Sequence, residues 1–279
     1  MSDFGEPPET TRRDFLGAVT AMMVSGSASA PVARSNTLRD DVGAAQTQGR
    51  IVTIAAKPKP ISFDISKTAV IVCDMQNDFG SAGGMFHRAG IDISVIQRAV
   101  PPTAKVLAAA RRVGIRCIYL KMAFRPDLSD AGSLDSPNRI KHLPFSIGDR
   151  VRAPDGTASR VLVRDTWNTE IVSELTPHPE DIVLNKFRYS GFYQTELDVI
   201  LKGLGTTHLL VTGCTTSVCV ESTVRDAMFR DYSPIVLADC TAEPIGHDLP
   251  RSNHEASLLT IETLLGWVSD SAALVQALN

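Results

Sequence analysis

An acid, an amine and a thiol stand at the ends of three short apolar runs. Asp74 closes the first in IVCDMQNDF, Lys186 closes another in IVLNKFRYSGF, and Cys219 follows the turn GCTTSVC at the start of a helical segment. A thiol attacks carbonyl carbon as its thiolate, and a helix N-terminus with a nearby ammonium lowers a thiol pKa. The three types together specify acyl transfer: Asp74 takes the thiol proton and later returns it to a leaving nitrogen. Lys186 would keep the carboxylate and the thiolate charged together. Backbone N–H groups in the turn, those of Thr215 and Cys219, are the expected oxyanion donors. Each residue alone has a plainer reading: a turn cap for Asp74, a solvated charge for Lys186, a buried thiol for Cys219. Their convergence on one edge of a sheet favours the chemical one.

Gln76, Phe79, Phe124, Tyr189 and Glu221 are the candidates for substrate binding. Tyr189 equally suits packing under a loop, and Glu221 equally complements a helix dipole. Asn77 and Asp78 suit the turn after the first strand. The histidines, His87, His142, His178, His208, His247 and His254, show no ligand spacing, so neither metal nor cofactor is expected.

These residues need a scaffold that gathers strand ends. Apolar runs at 68–75, 115–122, 181–186, 208–214 and 233–240 alternate with helical segments near 92–113, 167–175, 195–203, 218–230 and a pair from about 251 onward. Strands buried on both faces read as such continuous apolar runs. Repeated βα units with right-handed crossovers give an α/β fold, a three-layer α/β/α sandwich around a mainly parallel, doubly wound sheet. Ligands bind outside the carboxyl ends of such strands, which is where the three residues fall. The stretch from Phe124 to Arg160 is too long for an ordinary connection, and loops of that length are often functional.

The chain has 279 residues and a net charge of −3 without a basic stripe, which argues against nucleic acid as a partner. Its five cysteines are an odd number scattered through apolar runs, a poor disulfide framework. Near the N-terminus TRRDFL precedes the apolar LGAVTAMMV and the small-residue run SGSASA, the order of a twin-arginine export signal. The expected organisation is an export signal over 1–30, a linker over 31–49 and a hydrolase domain over 50–279. A periplasmic location without a membrane anchor follows, with the cytoplasm as the alternative.

The motifs VIVCDMQNDF, LNKFRYSGF and VTGCTTSVCVESTVRDAMFRDY resemble those of the isochorismatase-like cysteine hydrolases over about residues 60–279. Within that superfamily the chain is most similar to the ureidoacrylate amidohydrolases, through KFRYSGFYQTELDVIL, VCVESTVRDAMFRDY and IETLLGWVSD. The resemblance implies a cysteine-dependent amidohydrolase that cleaves a C–N bond of a small ureido, carbamoyl or amide substrate through a thioester. It further implies a cis peptide bond at Cys214–Thr215 and a homo-oligomer, dimer or tetramer. Biuret and N-carbamoyl amino acid hydrolysis are the alternatives within the superfamily. The stretch KMAFRPDLSD lacks the Asn and Trp associated with ureidoacrylate binding, which leaves the substrate open. Outside the superfamily, the rival readings are a small-ligand-binding α/β module and a thiol redox protein built on Cys214 and Cys219.

Overall fold

The computed structural model describes residues 49–279. The expected export signal, and the expected linker apart from Gly49, lie outside the described residues. In chain order the elements begin with β1 (Ile51–Ile54), β2 (Ile61–Asp64), β3 (Thr68–Cys73), α1 (Asn77–Gly80), α2 (Met85–Arg88), α3 (Ser94–Arg112) and β4 (Arg116–Met122). They continue with α4 (Pro137–His142), β5 (Arg150–Arg152), β6 (Ala158–Arg160), β7 (Ile182–Lys186), α5 (Leu197–Gly203) and β8 (His208–Cys214). The last are α6 (Glu221–Met228), β9 (Ser233–Ala242), α7 (Asn253–Thr260), β10 (Trp267–Ser269) and α8 (Ser271–Leu278).

Six strands form one sheet in the order β10-β9-β8-β3-β4-β7, and every neighbouring pair is parallel. The chain builds outward from β3 through β4 to β7, then returns to the other side of β3 with β8 and proceeds through β9 to β10. The reversal opens a crevice at the carboxyl ends of β3 and β8, the place where open α/β sheets bind ligands.

The residues of β3, TAVIVC, are all buried, and their alternation feeds two separate cores. Val70 and Val72 pack in one core with Ile96, Val106 and Leu107 of α3 and Leu274 and Leu278 of α8. Ala69, Ile71 and Cys73 pack in the other with Leu197 and Leu201 of α5 and Val224 and Ala227 of α6. Both faces of the strand are therefore covered by helices, the three-layer sandwich expected from the sequence.

Three strand features were not expected, one of them the antiparallel hairpin of β5 and β6 within the stretch from Phe124 to Arg160. The hairpin of β1 and β2 precedes the sheet, and Lys57 beyond β1 bridges to Val268 in the edge strand β10. β10 itself interrupts the C-terminal helix pair. It runs beside β9 because Gly266 lets the backbone approach closely, since a Cβ there would lie 2.3 Å from the Pro234 carbonyl oxygen. The helix expected over 167–175 is instead two single 3₁₀ turns, Trp167–Thr169 and Ser173–Leu175.

Candidate active site

Asp74 follows β3 and takes a left-handed conformation, φ 51°, a region that Asp tolerates better than most residues. Its N–H donates to the Leu120 carbonyl at 2.9 Å, which holds the turn against β4. On its other side Gly213 of β8 has φ +115°, and a Cβ there would fall 2.0 Å from the Cys73 carbonyl oxygen. Only glycine allows this approach of β8 to β3 beside Asp74. The register of β8 against β9 shifts between Val211 and Gly213, a bulge of the kind that re-aims a strand end near a site.

Lys186, the last residue of β7, reaches under β4, and its Nζ lies 2.7 Å from Asp74 Oδ2. Both side chains are sealed from solvent, at 0% and 1% exposure. The ammonium also donates to the Arg188 carbonyl at 3.2 Å and rests 3.8 Å from Met122 Sδ. Burial works against this ammonium, but Asp74, Cys219 and Cys73 together carry its pKa above the ordinary lysine value. Burial pushes the Asp74 carboxyl up, opposed by Lys186 and by the Cys219 thiol. Neither Asp74 oxygen accepts a well-aligned hydrogen bond, so charge and proximity hold the carboxylate in place.

Cys219 enters from β8 through the cis peptide bond Cys214–Thr215, found at the position that the family resemblance implied. A wide turn over Thr216–Val220 follows, with Val220 N–H donating back five residues to the Thr215 carbonyl at 3.2 Å, before α6 begins. Thr215 and Cys219 thus present N–H groups at the start of a helical segment, where the first donors lack intrahelical partners. Glu243 braces the turn by accepting the Ser217 N–H at 2.9 Å.

The thiol corrects one expectation. The sequence reading has the helix start and Lys186 lowering its pKa, whereas burial pushes it well above the ordinary cysteine value and outweighs Lys186. Cys219 is only 6% exposed, and the neighbouring Asp74 and Cys73 add to the rise. Cys219 is accordingly a neutral thiol beside a carboxylate of raised basicity, an arrangement in which attack by the thiol would pass its proton to Asp74 rather than start from a standing thiolate.

A cavity of about 540 Å³, counting its open mouth, leads to Cys219 and Thr215. Its walls are largely apolar: Phe79, Met85, Phe86, Met122, Phe145 and Leu162. Lys141, His142 and Tyr189 supply polar atoms, while Val218 and Ile245 complete the lining.

Of the residues expected to bind substrate, Phe79 and Tyr189 line this cavity and the other three do not. Gln76 is fully buried and committed to the backbone: its Oε1 accepts the Met122 N–H at 2.7 Å, and its Nε2 donates to the carbonyls of Met122 and Thr169 at 3.1 and 3.3 Å. It braces the end of β4. Phe124 is fully buried, its ring nearly perpendicular to that of His142 at 5.8 Å between centroids. Glu221 faces away, accepting from Arg225 at 2.7 Å and from Ser257 at 2.5 Å.

Among the residues of the site absent from the sequence-based set, His142 and Asp78 stand out. His142, grouped there with the scattered histidines, ends α4 and lines the cavity. Asp78, read as a turn residue, is fully buried: its Oδ1 accepts the Met85 N–H at 2.9 Å and Asn168 Nδ2, and its Oδ2 accepts the Leu162 N–H at 2.7 Å. One carboxylate thus ties together two cavity walls. Burial pushes its pKa up to about 6. Among the described residues no group of three or more His, Cys, Asp or Glu side chains is placed to hold a metal ion.

The isochorismatase domain model matches residues 68–273. A ureidoacrylate amidohydrolase RutB of Methylorubrum extorquens is 43% identical over 228 residues, 82% of this chain and 89% of the relative. The enzyme of the same name from Serratia proteamaculans is 40% identical over 219 residues, 78% of this chain and 86% of the relative. Among solved structures, a cysteine hydrolase from Pseudomonas syringae pv. phaseolicola is 28% identical with a TM-score of 0.65, covering 77% of this chain and 94% of its own. An N-carbamoylsarcosine amidase from Thermoplasma acidophilum is 26% identical with a TM-score of 0.54, covering 74% of this chain and 96% of its own. With a match from the first sheet strand into the last helix, the chain belongs to the isochorismatase-domain family.

Proposed function

We propose that this amidohydrolase of the isochorismatase superfamily opens the C–N bond of a small ureido or carbamoyl compound through a thioester on Cys219. The observation that carries the reading is the sealed Asp74–Lys186 pair, 2.7 Å apart, beside a thiol at the sheet's switch point. Asp74 takes the thiol proton as sulfur attacks the carbonyl carbon, and the N–H groups of Thr215 and Cys219 receive the charge that develops on oxygen. As the tetrahedral species collapses, Asp74 delivers its proton to the departing nitrogen, leaving an acyl thioester. Water then attacks that thioester while Asp74 takes its proton, and the acid is released with the thiol restored. Lys186 stays charged throughout and limits the cost of a buried carboxylate.

The relatives named for ureidoacrylate and N-carbamoylsarcosine support a carbamoyl group at the reacting end. The apolar walls favour an apolar body attached to it and argue against biuret, which is polar along its whole length. A panel of ureidoacrylate analogues, biuret, N-carbamoyl amino acids, nicotinamide and simple amides, scored by product release, tests the class. The Cys219→Ala variant should lose on the order of 10⁴-fold or more in kcat while keeping the wild-type melting behaviour. Near-normal turnover by that variant would sink the mechanism.

A further inference from the structure

His142 sits on the wall of the reaction cavity with one ring nitrogen committed and the other free. Nδ1 lies 2.6 Å from the Asn138 carbonyl oxygen. A carbonyl oxygen only accepts, so Nδ1 carries the proton and Nε2 carries the lone pair. Nε2 has no hydrogen-bond partner among the described residues, and it is not among the buried atoms sealed from solvent without one. The ring is held between Phe124, nearly perpendicular to it at 5.8 Å, and Tyr189 at 5.7 Å between centroids. Burial lowers the His142 pKa, and the cations Lys186 and Arg188 lower it further, whereas the Asn138 carbonyl raises it. The net direction keeps the ring neutral at pH 7.

The origin of this placement is local. Ser136 caps α4 by accepting the Arg139 N–H at 3.2 Å, Pro137 starts the helix, and the helix ends at His142. The short helix is tied back by Asn138 Nδ2, which donates to the Ala131 carbonyl at 2.9 Å. An acceptor oriented so firmly in a cavity whose walls are mostly apolar selects for a ligand that brings a donor to it.

We infer that His142 is a specificity residue of this enzyme, its Nε2 accepting a hydrogen bond from an N–H of the substrate's urea group. The assignment rests on the ureido or carbamoyl reading of the site. It excludes an ester or a fully N-alkylated urea as a good substrate, because neither offers an N–H and each would leave Nε2 desolvated and unpaired. The proton stays on the substrate nitrogen, so His142 selects without exchanging protons.

The test compares wild type, His142→Leu and His142→Gln on an N-carbamoyl amino acid and on its N,N′,N′-trimethyl counterpart, which has no urea N–H, with thermal unfolding as the folding control. His142→Leu should lower kcat/KM for the free urea about 10- to 100-fold, chiefly through KM, and leave the trimethyl compound within a few-fold of wild type. The glutamine variant, whose Oε1 can accept, should recover part of the loss. Equal losses on both compounds, or none on either, would overturn the assignment. A second measurement does not depend on turnover. In ¹⁵N-histidine-labelled Cys219→Ala protein, the same urea should shift the unprotonated Nε2 resonance of His142 upfield. That resonance is identified by its disappearance in the Cys219→Ala/His142→Leu protein. A wild type inactive on ureas but with a shifting Nε2 removes the function reading and keeps His142 as a urea acceptor. An Nε2 that does not move while wild type turns over ureas removes the His142 assignment alone.

Discussion

The floor and the walls of the cavity are made by different means. The floor is built on strand ends: Asp74 after β3, Lys186 ending β7, and the turn after β8 that carries Thr215 and Cys219, all held by a parallel sheet with both faces covered. The walls come from connections, with Phe79, Met85 and Phe86 from the segment after β3, and Lys141, His142, Phe145 and Leu162 from the stretch between β4 and β7. A sheet edge fixes atoms to the tolerance that chemistry needs, whereas loops can vary to fit a substrate without disturbing it. Damage to the floor should therefore abolish turnover, and damage to the walls should alter KM and substrate choice.

The largest effect tests whether the floor's ion pair is structural as well as chemical. Asp74→Asn should lower kcat about 10²- to 10⁴-fold, the usual contribution of a general acid–base. Lys186→Met strands a buried carboxylate and should destabilise the fold by about 3–5 kcal/mol in urea denaturation. The double variant Asp74→Asn/Lys186→Met should recover most of that stability, since neither charge remains, and none of the activity. Recovery of turnover in the double variant would show that the pair only holds the strands together.

The same division explains what the sequence disclosed. Asp74, Lys186 and Cys219 were legible because each terminates a continuous apolar run, and a parallel sheet gathers such ends at one edge. Asp78 and Gln76 follow the same strand, but the sequence does not say which side chain turns inward to brace backbone and which enters the cavity. Gln76 was therefore placed with the substrate although it is spent on Met122 and Thr169. The Ser136–Pro137 pair is a helix-start signal that sequence reasoning passed over, and it would have marked a short helix ending near His142. Strands β1, β2, β5, β6 and β10 were missed because each is only three or four residues long, and the first two flank a proline-rich turn. The pKa of Cys219 was out of reach, because the burial that dominates it is a property of the assembled site.

A wall residue that resembles the floor sharpens the contrast. Asp78 is buried and charged like Asp74, but its oxygens take the Met85 and Leu162 N–H groups and Asn168 instead of facing the thiol. Asp78→Asn keeps one acceptor and turns an amide against a backbone donor, so a loss of about 1–3 kcal/mol is expected, with KM raised more than kcat is lowered. The pH dependence carries a definite sign. The folded pKa is about 6 against an ordinary 3.8, so this group's contribution is full below the lower value and is lost as pH rises through the upper. Acidification from pH 7 to 4 should favour the wild type by up to about 3 kcal/mol from this group, read as the difference between wild type and Asp78→Asn. A pH-independent difference would mean that Asp78 titrates as an ordinary surface carboxylate.

The smallest effect belongs to a residue adjacent to the floor in sequence and separate from it in space. Glu221 lies two positions past Cys219, close enough for the sequence to suggest a role in the pocket. Its carboxylate is instead occupied by Arg225, an i,i+4 partner 43% exposed, and by Ser257. Exposed pairs of that spacing contribute about 0.3–0.5 kcal/mol. Glu221→Gln retains an acceptor for Ser257 and removes only the charge, so stability should fall by less than about 1 kcal/mol and kcat/KM should stay within twofold of wild type. A tenfold drop in kcat/KM without a matching loss of stability would place the start of α6 in the electrostatics of the thiol, and the boundary between floor and surroundings would then lie about half a helical turn beyond Cys219.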